Sequence, residues 1–299
     1  MERRAVLAAL VALAGVMPGG GALARCETYV PQAKPQNASR DIVGQDLDQI
    51  MERGFIEFAL YDDFPPWSYE KAGKPAGVDV EIARLIAADL GVAPRFRLVA
   101  AGEELQADLR NYVWKGAIVG GRVSNVMMHV PYDSEFACRV EQVVFTGVYA
   151  EETVAIAYRR DDYPEDPPVP AYFRFDTVAV ENDSIADFYL TSLAGGALAA
   201  NIRRYPTAAA AMEALARHEV MAAMAPRAQL EAGLTEDSAI HEPPLPGFAV
   251  GTWPIGVAVH QRYRALGYAV DDAIRAAMAD GRIAAIFEAE GLSYHPPEW

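Results

Sequence analysis

The sequence predicts an α/β fold with open, largely parallel sheets, arranged in two lobes. Two observations predict it. Short apolar, β-prone runs alternate with stretches of helical periodicity from residue 47 to residue 290, the pattern of sheets covered by helices. Of the 299 residues, about 275 follow the first 24, more than one hydrophobic core usually serves, and that length favours two lobes.

The elements follow in order. Leu47 to Arg53 reads as a helix stopped by Gly54, and Phe55 to Tyr61 (FIEFALY) as a strand. Asp62 to Tyr69 (DDFPPWSY) is a loop, because Pro65-Pro66 continues neither regular element. In Asp79 to Leu90, Val80, Ile82, Ala83, Leu85, Ile86 and Leu90 repeat at helical spacing, and Gly91 ends the helix. Phe96 to Val99 is a strand, Leu105 to Tyr112 a helical stretch and Val126 to Val130 a short strand. Val143 to Phe145 and Val154 to Arg159 read as two further strands. Asp161 to Pro170 is an acidic, proline-rich surface loop. Thr177 to Val180 is a strand, and Ser184 caps the helix that runs on through Leu193. Ala208 to His218 is an alanine-rich helix, Val220 to Met224 a strand and Pro226 to Ala232 another helix. Pro243 to Gly247 is a turn, Ile255 to Val259 a strand, and Asp271 to Glu290 holds two helices around Asp280-Gly281.

The first residues predict export. Arg3-Arg4, the apolar run Ala5 to Met17 and Ala22-Leu23-Ala24 have the form of a secretory signal peptide over residues 1–24. Arg3-Arg4 also matches a twin-arginine signal loosely. No later segment has the length to span a bilayer. Cleavage removes two Arg and one Glu and takes the formal charge from −15 to −16. That charge disfavours nucleic acid and anionic membranes, and serves solubility or a basic partner. The two cysteines, Cys26 and Cys138, both survive cleavage. An even count in an oxidising compartment predicts one disulfide, worth roughly 3–5 kcal/mol in the loop-entropy account; two free thiols is the alternative.

The candidate site residues cluster in three stretches. Asp62, Phe64, Trp67 and Tyr69 follow the first strand, and Trp114 lies on the next cleft element. These aromatics suit either a core or a cleft for a flat, apolar guest. In VMMHVPYD, Val126 to Asp133, strand alternation puts Met127 and His129 on one face, with Met128 opposite and Tyr132 beyond. Such residues could be a soft metal site, packing methionines with a bonded histidine, or a surface that repacks around a partner. No other histidine stands at ligand spacing, so no metal and no cofactor is expected. Arg139 is either a cleft anion site or an ion-pair partner of Glu141 or Asp133. Asp161, Asp162, Glu165 and Asp166 form a solvated loop or a docking patch for a basic surface. No G-x-S-x-G, H-E-x-x-H or C-x-x-C motif occurs, so an enzyme is not expected. Asp62, Asp63 and Asp79 are the carboxylates that acid–base chemistry would use; Asp79 more simply charges its helix N-terminus.

Four motifs, in order, resemble the periplasmic substrate-binding proteins of polar-amino-acid transport, the solute-binding family 3. They are DDFPPWSYEKAGKPAGVDVEIARLIAADLGV, RVEQVVFTGVY, VAVENDSIADFYL and YAVDDAIRAAMADGRIAAIFEAEGL. The resemblance implies a type II periplasmic binding protein-like fold, two lobes with open mixed sheets joined by two hinge strands. It implies one lobe over 25–151 plus 255–299 and a second over 152–254, a monomer, and an ABC permease as partner. It also implies that Arg139 pairs with a ligand carboxylate. Ser134 and Phe136 stand where the family has Thr, and Pro226 falls where its ammonium-binding Asp belongs. Asp183, Ser184 and Glu181 lie near the alternative place for that partner. A free α-amino acid is therefore expected to be a poor ligand. VWKGAIVGGRVSNVMMHVPYD and RGFIEFALYDDFPPWSYE resemble more closely the methanol-oxidation J proteins (MoxJ/MxaJ/XoxJ type). That resemblance implies a periplasmic accessory role in assembling or activating a PQQ-dependent methanol dehydrogenase. The alternative is a receptor subunit of an ABC importer for an organic acid, amino-acid derivative or peptide.

Overall fold

The computed structural model describes residues 44–118, 121–248 and 251–298. The expected signal peptide and Cys26 lie outside the described residues. Helix α1 (Leu47–Arg53) starts at Asp46, whose side chain accepts the Asp48 N–H, and stops at Gly54 in the left-handed region. Then come β1 (Phe55–Tyr61), the hairpin of β2 (Tyr69–Lys71) and β3 (Lys74–Ala76), and α2 (Val78–Asp89). β4 (Ala93–Val99) and α3 (Leu105–Leu109) follow, and α3 widens into a π-helical turn over Arg110–Trp114. Next are β5 (Val126–Pro131), α4 (Ser134–Arg139) and β6 (Val143–Arg159). β7 (Val178–Glu181), α5 (Ile185–Ser192), β8 (Ile202–Tyr205), α6 (Ala208–Ala216), β9 (Ala222–Pro226), α7 (Arg227–Glu231) and β10 (Ser238–His241) come next. β11 (Thr252–His260), α8 (Arg264–Ala279) and α9 (Arg282–Ala289) close the chain.

The strands form one hydrogen-bonded series, β4-β1-β5-β11-β6-β9-β7-β8, with β10 also paired to β6. β1 runs parallel to β4 and β5, and β7 parallel to β8 and β9. β11 is antiparallel to β5 and β6, and β6 is antiparallel to β9 and β10. The sheets are therefore mixed, not largely parallel. The reason is the pair β6 and β11, which carry the chain between the lobes in opposite directions.

The two strands expected within 143–159 are one. Thr153 and the residues before it pair with β11, and Val154 and those after it pair with β9. The polar Glu151-Glu152 and a glycine had masked this continuity in the sequence. That glycine, Gly147, sits at φ +55°, and a Cβ there would lie 2.6 Å from Ile274 Cδ1. Its N–H bonds Asp271 Oδ1 at 3.0 Å. A side chain at this bend would be both strained and crowded.

Each lobe buries both faces of its sheet. In the first, Phe58, Val126 and Met128 pack with α2, α8 and α9, while Ala59, Met127, Val130 and Val113 form the opposite face. In the second, Ile156, Val178, Val180 and Met224 pack on one side. Ala155, Ala157, Ala179, Ala223 and Ala225 face the alanines of α6 on the other. Burial on both faces explains why these strands read as continuous apolar runs. The small side chains on the second face let α6 approach the sheet closely.

Candidate functional site

A cavity of about 880 Å³ lies between the lobes. The carboxyl end of β1 contributes Tyr61, Asp62, Asp63 and Phe64, and the end of β5 contributes His129, Pro131, Tyr132 and Asp133. Gly102, Leu105 and Asp108 come from the stretch after β4. Glu181 and Ile185 face them from the second lobe, and Thr252, Trp253 and Pro254 enter from β11. Carboxyl ends of strands form such crevices, because the chain turns away there and leaves the sheet edge open.

His129 is the most constrained residue of this wall. It is 7 % exposed and has φ +56°. Its Nδ1 lies 3.1 Å from Asp79 Oδ2, and the Tyr149 hydroxyl donates to Asp79 Oδ1 at 2.5 Å. Asp79 and Tyr149 are fully buried. Burial, with the Asp79 carboxylate beside it, pushes the Tyr149 hydroxyl well above its usual range. The His129 ring meets Phe64 and Trp67 edge-on, at 4.9 Å and 4.6 Å between centroids. Asp79 thus lies in the first turn of α2 as expected, but its oxygens serve Tyr149 and His129 and cap nothing. A bare acid on an apolar helix gave no sign of these partners.

The other carboxylates of the wall are held locally in part. Asp108 accepts the Tyr61 hydroxyl at 3.0 Å and the Gly102 N–H at 3.0 and 3.1 Å, and burial raises it. Asp133 caps α4 by accepting the Phe136 N–H at 2.5 Å. Glu181 Oε2 accepts the Ala208 N–H at 3.0 Å, and burial raises this carboxyl too. Asp62 and Asp63 are exposed, with no ion pair among the described residues. Asp63 has φ +50°. The described lining therefore holds five carboxylates and no Arg or Lys.

Of the residues singled out in the sequence, Asp62, Asp63, Phe64, His129, Tyr132, Asp133 and Glu181 line the cavity. Trp67, Tyr69, Trp114, Met127, Met128, Arg139, Asp183 and Ser184 do not. Trp67, at 2 % exposure, packs in the first-lobe core against Phe287. Tyr69 is half-buried on β2, and burial, with Glu290 beside it, raises its hydroxyl. Trp114 packs beside Leu109 and Val113 on the π-helical turn. Met127 and Met128 are both core residues, on opposite faces of β5. The left-handed backbone at His129 breaks the alternation, so His129 joins the face of Met128 and not that of Met127. A register shift in β11 between Gly256 and Ala258 lies across from this point. Arg139 is exposed at the end of α4 and is not a lining residue. Asp183 is held by Asn182 at 2.6 Å, and Ser184 caps α5 by accepting the Asp187 N–H at 3.2 Å. Among the described residues, no group of three or more His, Cys, Asp or Glu is placed to hold a metal. Asp108, Trp253 and Tyr61 were not singled out, since isolated polar and aromatic residues at strand ends carry no spacing signal.

A second buried acid stands at the lobe crossing. Glu152 on β6 is 4 % exposed. It accepts the Thr153 N–H at 3.0 Å and the Ala228 N–H at 3.4 Å to either oxygen. Burial pushes its carboxyl up to about 7, against the pull of these backbone N–H groups.

The model of the bacterial extracellular solute-binding proteins, family 3, matches residues 56–289. The chain belongs to this family. Members of this family are extracellular solute-binding proteins. No curated protein matches. Among solved structures, an ancestral cationic amino acid solute-binding protein is 18 % identical with a TM-score of 0.66, over 82 % of this chain and 99 % of that one. A mutant of ArgBP from T. maritima is 22 % identical, TM-score 0.56, over 81 % and 97 %. The amino acid ABC transporter substrate-binding protein AbpA from Streptococcus pneumoniae, bound to L-arginine, is 19 % identical, TM-score 0.57, over 81 % and 97 %. At these identities the likeness is one of fold: two lobes with mixed sheets joined by two crossing strands. Among the described residues no helix is long and apolar enough to cross a membrane.

Proposed function

We propose that this family member is a periplasmic binding-type accessory protein for a PQQ-dependent methanol dehydrogenase, assisting its assembly or activation through the interlobe cavity. The observation that carries the reading is the lining with five carboxylates and no described Arg or Lys. An amino-acid receptor needs a cation for the ligand carboxylate, and a carboxylate brought among like charges is disfavoured. AbpA is bound to L-arginine; the present described lining offers the α-carboxylate of such a ligand no Arg or Lys. The stretch from Trp114 to Asp133, which resembles the methanol-oxidation J proteins, supplies the wall around His129. The lobes are divided at 151/152 and 254/255, the chain is exported by residues 1–24, and Cys26 pairs with Cys138.

The test is capture from a periplasmic extract of methanol-grown cells, with the mature protein as bait. Recovery of the dehydrogenase is the expected result. Recovery of a transporter permease, or no specific partner, overturns the accessory reading. A receptor subunit of an ABC importer is the second reading, favoured by family membership and by a cavity within the size range of small-ligand sites. An organic acid is then a poor candidate, for the same electrostatic reason.

A further inference from the structure

The orientation of His129 determines what the cavity can accept. As a carboxylate, Asp79 only accepts hydrogen bonds. Oδ1 takes the Tyr149 hydroxyl and Oδ2 faces His129 Nδ1, so Nδ1 carries the ring proton. In the neutral ring Nε2 is then a lone-pair acceptor. Among the described residues Nε2 has no hydrogen-bond partner. The residue is more than nine-tenths buried and still lines the cavity. Nε2 is not among the buried atoms that lack a partner: it opens to the cavity, and an acceptor held there in one orientation suits a ligand that donates.

The charges around it point the same way. Asp62 and Asp63 stand on one wall and Glu181 on the facing wall. No described lining residue neutralises them, and they sit in a concave site where like charges reinforce one another. Phe64, Tyr132 and Trp253 add aromatic surface, which attracts cations through the ring faces. We propose that the cavity binds an organic cation without a carboxylate, an alkyl ammonium or guanidinium. His129 Nε2 accepts one of its N–H groups, and Asp62, Asp63 and Glu181 supply the counter-charge. This deepens the accessory reading, on which it rests in placing function at the same cavity. The cation is either a free small molecule or a lysine or arginine side chain of the partner.

Titration calorimetry on the mature protein tests it with three probes: agmatine, which is arginine without its carboxylate, then arginine and succinate. Agmatine is expected to bind, arginine at least tenfold more weakly, and succinate not at all. The double substitution Asp62→Asn with Asp63→Asn, on two exposed residues that leave the core intact, is expected to weaken agmatine binding at least tenfold. His129→Gln is expected to weaken it as well. No heat with agmatine, arginine binding as tightly as agmatine, or an unchanged double variant each overturns the proposal. Dehydrogenase capture is measured on the same preparation. Capture without agmatine binding overturns the cation site and leaves the accessory reading standing. Agmatine binding without capture does the reverse. Displacement of captured dehydrogenase by agmatine identifies the cation as a partner side chain, and capture that agmatine leaves intact identifies it as a free solute.

Discussion

Two carboxylates with nearly the same burial behave differently in this protein. Asp79, beside the cavity, is served by a tyrosine hydroxyl at 2.5 Å and an imidazole nitrogen at 3.1 Å. Glu152, at the lobe crossing, has one backbone N–H at 3.0 Å and another shared at 3.4 Å, and its carboxyl is raised to about 7. The neighbouring Glu231 adds to that rise. Burial by itself therefore does not decide what a carboxylate does. Short, directed donors hold one as a structural acceptor that orients His129. Backbone N–H groups alone, those of Thr153, Ala228 and Arg227, do not offset burial at the other, which titrates near neutrality where the chain passes between lobes.

The comparison breaks most severely at Asp79. Asp79→Ala leaves the Tyr149 hydroxyl buried without an acceptor and removes what holds His129. A loss of about 3–5 kcal/mol is expected, as when one partner of a buried pair is removed. A fall in the urea midpoint at unchanged slope would show it, and a loss below 1 kcal/mol would mean that the network is not structural.

Glu152 gives the next largest effect, and it depends on pH. Its folded pKa, about 7, lies above the ordinary carboxyl value of 4.5. Between these values the folded state holds the proton and the unfolded state does not. Its contribution to stability is thus fully present below about pH 4.5 and is lost as pH rises through about 7, a change of roughly 3 kcal/mol. Glu152→Gln should remove that slope and make the protein more stable than the parent at pH 8. Parallel urea curves from pH 4 to 8 for the two proteins would reveal an equal slope if the assignment is mistaken.

Tyr149→Phe sharpens the comparison by deleting one donor to Asp79 and leaving His129 in place. A smaller cost, about 1–3 kcal/mol, is expected in the same denaturation assay. A cost as large as that of Asp79→Ala would mean that His129 contributes nothing. Ser184→Ala, an ordinary helix cap outside both networks, sets the scale at about 1 kcal/mol. Its effect should be the same at pH 5 and pH 8, and a change with pH would show titrating groups beyond Glu152.

Much of the first lobe was legible in the sequence because its signals are local. FIEFALY became β1, and the helix expected over Asp79 to Leu90 is α2, Val78–Asp89, with Leu90 at its cap and Gly91 beyond. Ser184 caps α5 as its position announced. Less local features were missed. The hairpin of β2 and β3 is too short to show alternation, and α4, β8 and β10 are likewise short. The site was legible only in part. Asp62, Phe64, His129 and Tyr132 were found because they follow strands, where an α/β crevice opens. For Trp67, Met127 and Met128 the sequence left core and cleft open, since an apolar residue beside a crevice and one beneath it look alike in sequence, and the structure puts all three in the core.

By itself the sequence determined the class of fold, the order of its elements and the acidity of the chain, because propensity, periodicity and charge belong to residues and their near neighbours. Only the tertiary structure decided that β6 is continuous, that His129 leaves the face of Met127, and that Asp79 faces Tyr149. The same holds for Arg139, which resemblance put in the cleft and which the fold leaves outside the cavity lining. Each of these rests on contacts between residues far apart in the chain, such as Asp79 with Tyr149. Each depends on a backbone bend, a strand pairing or a burial that no window of sequence contains.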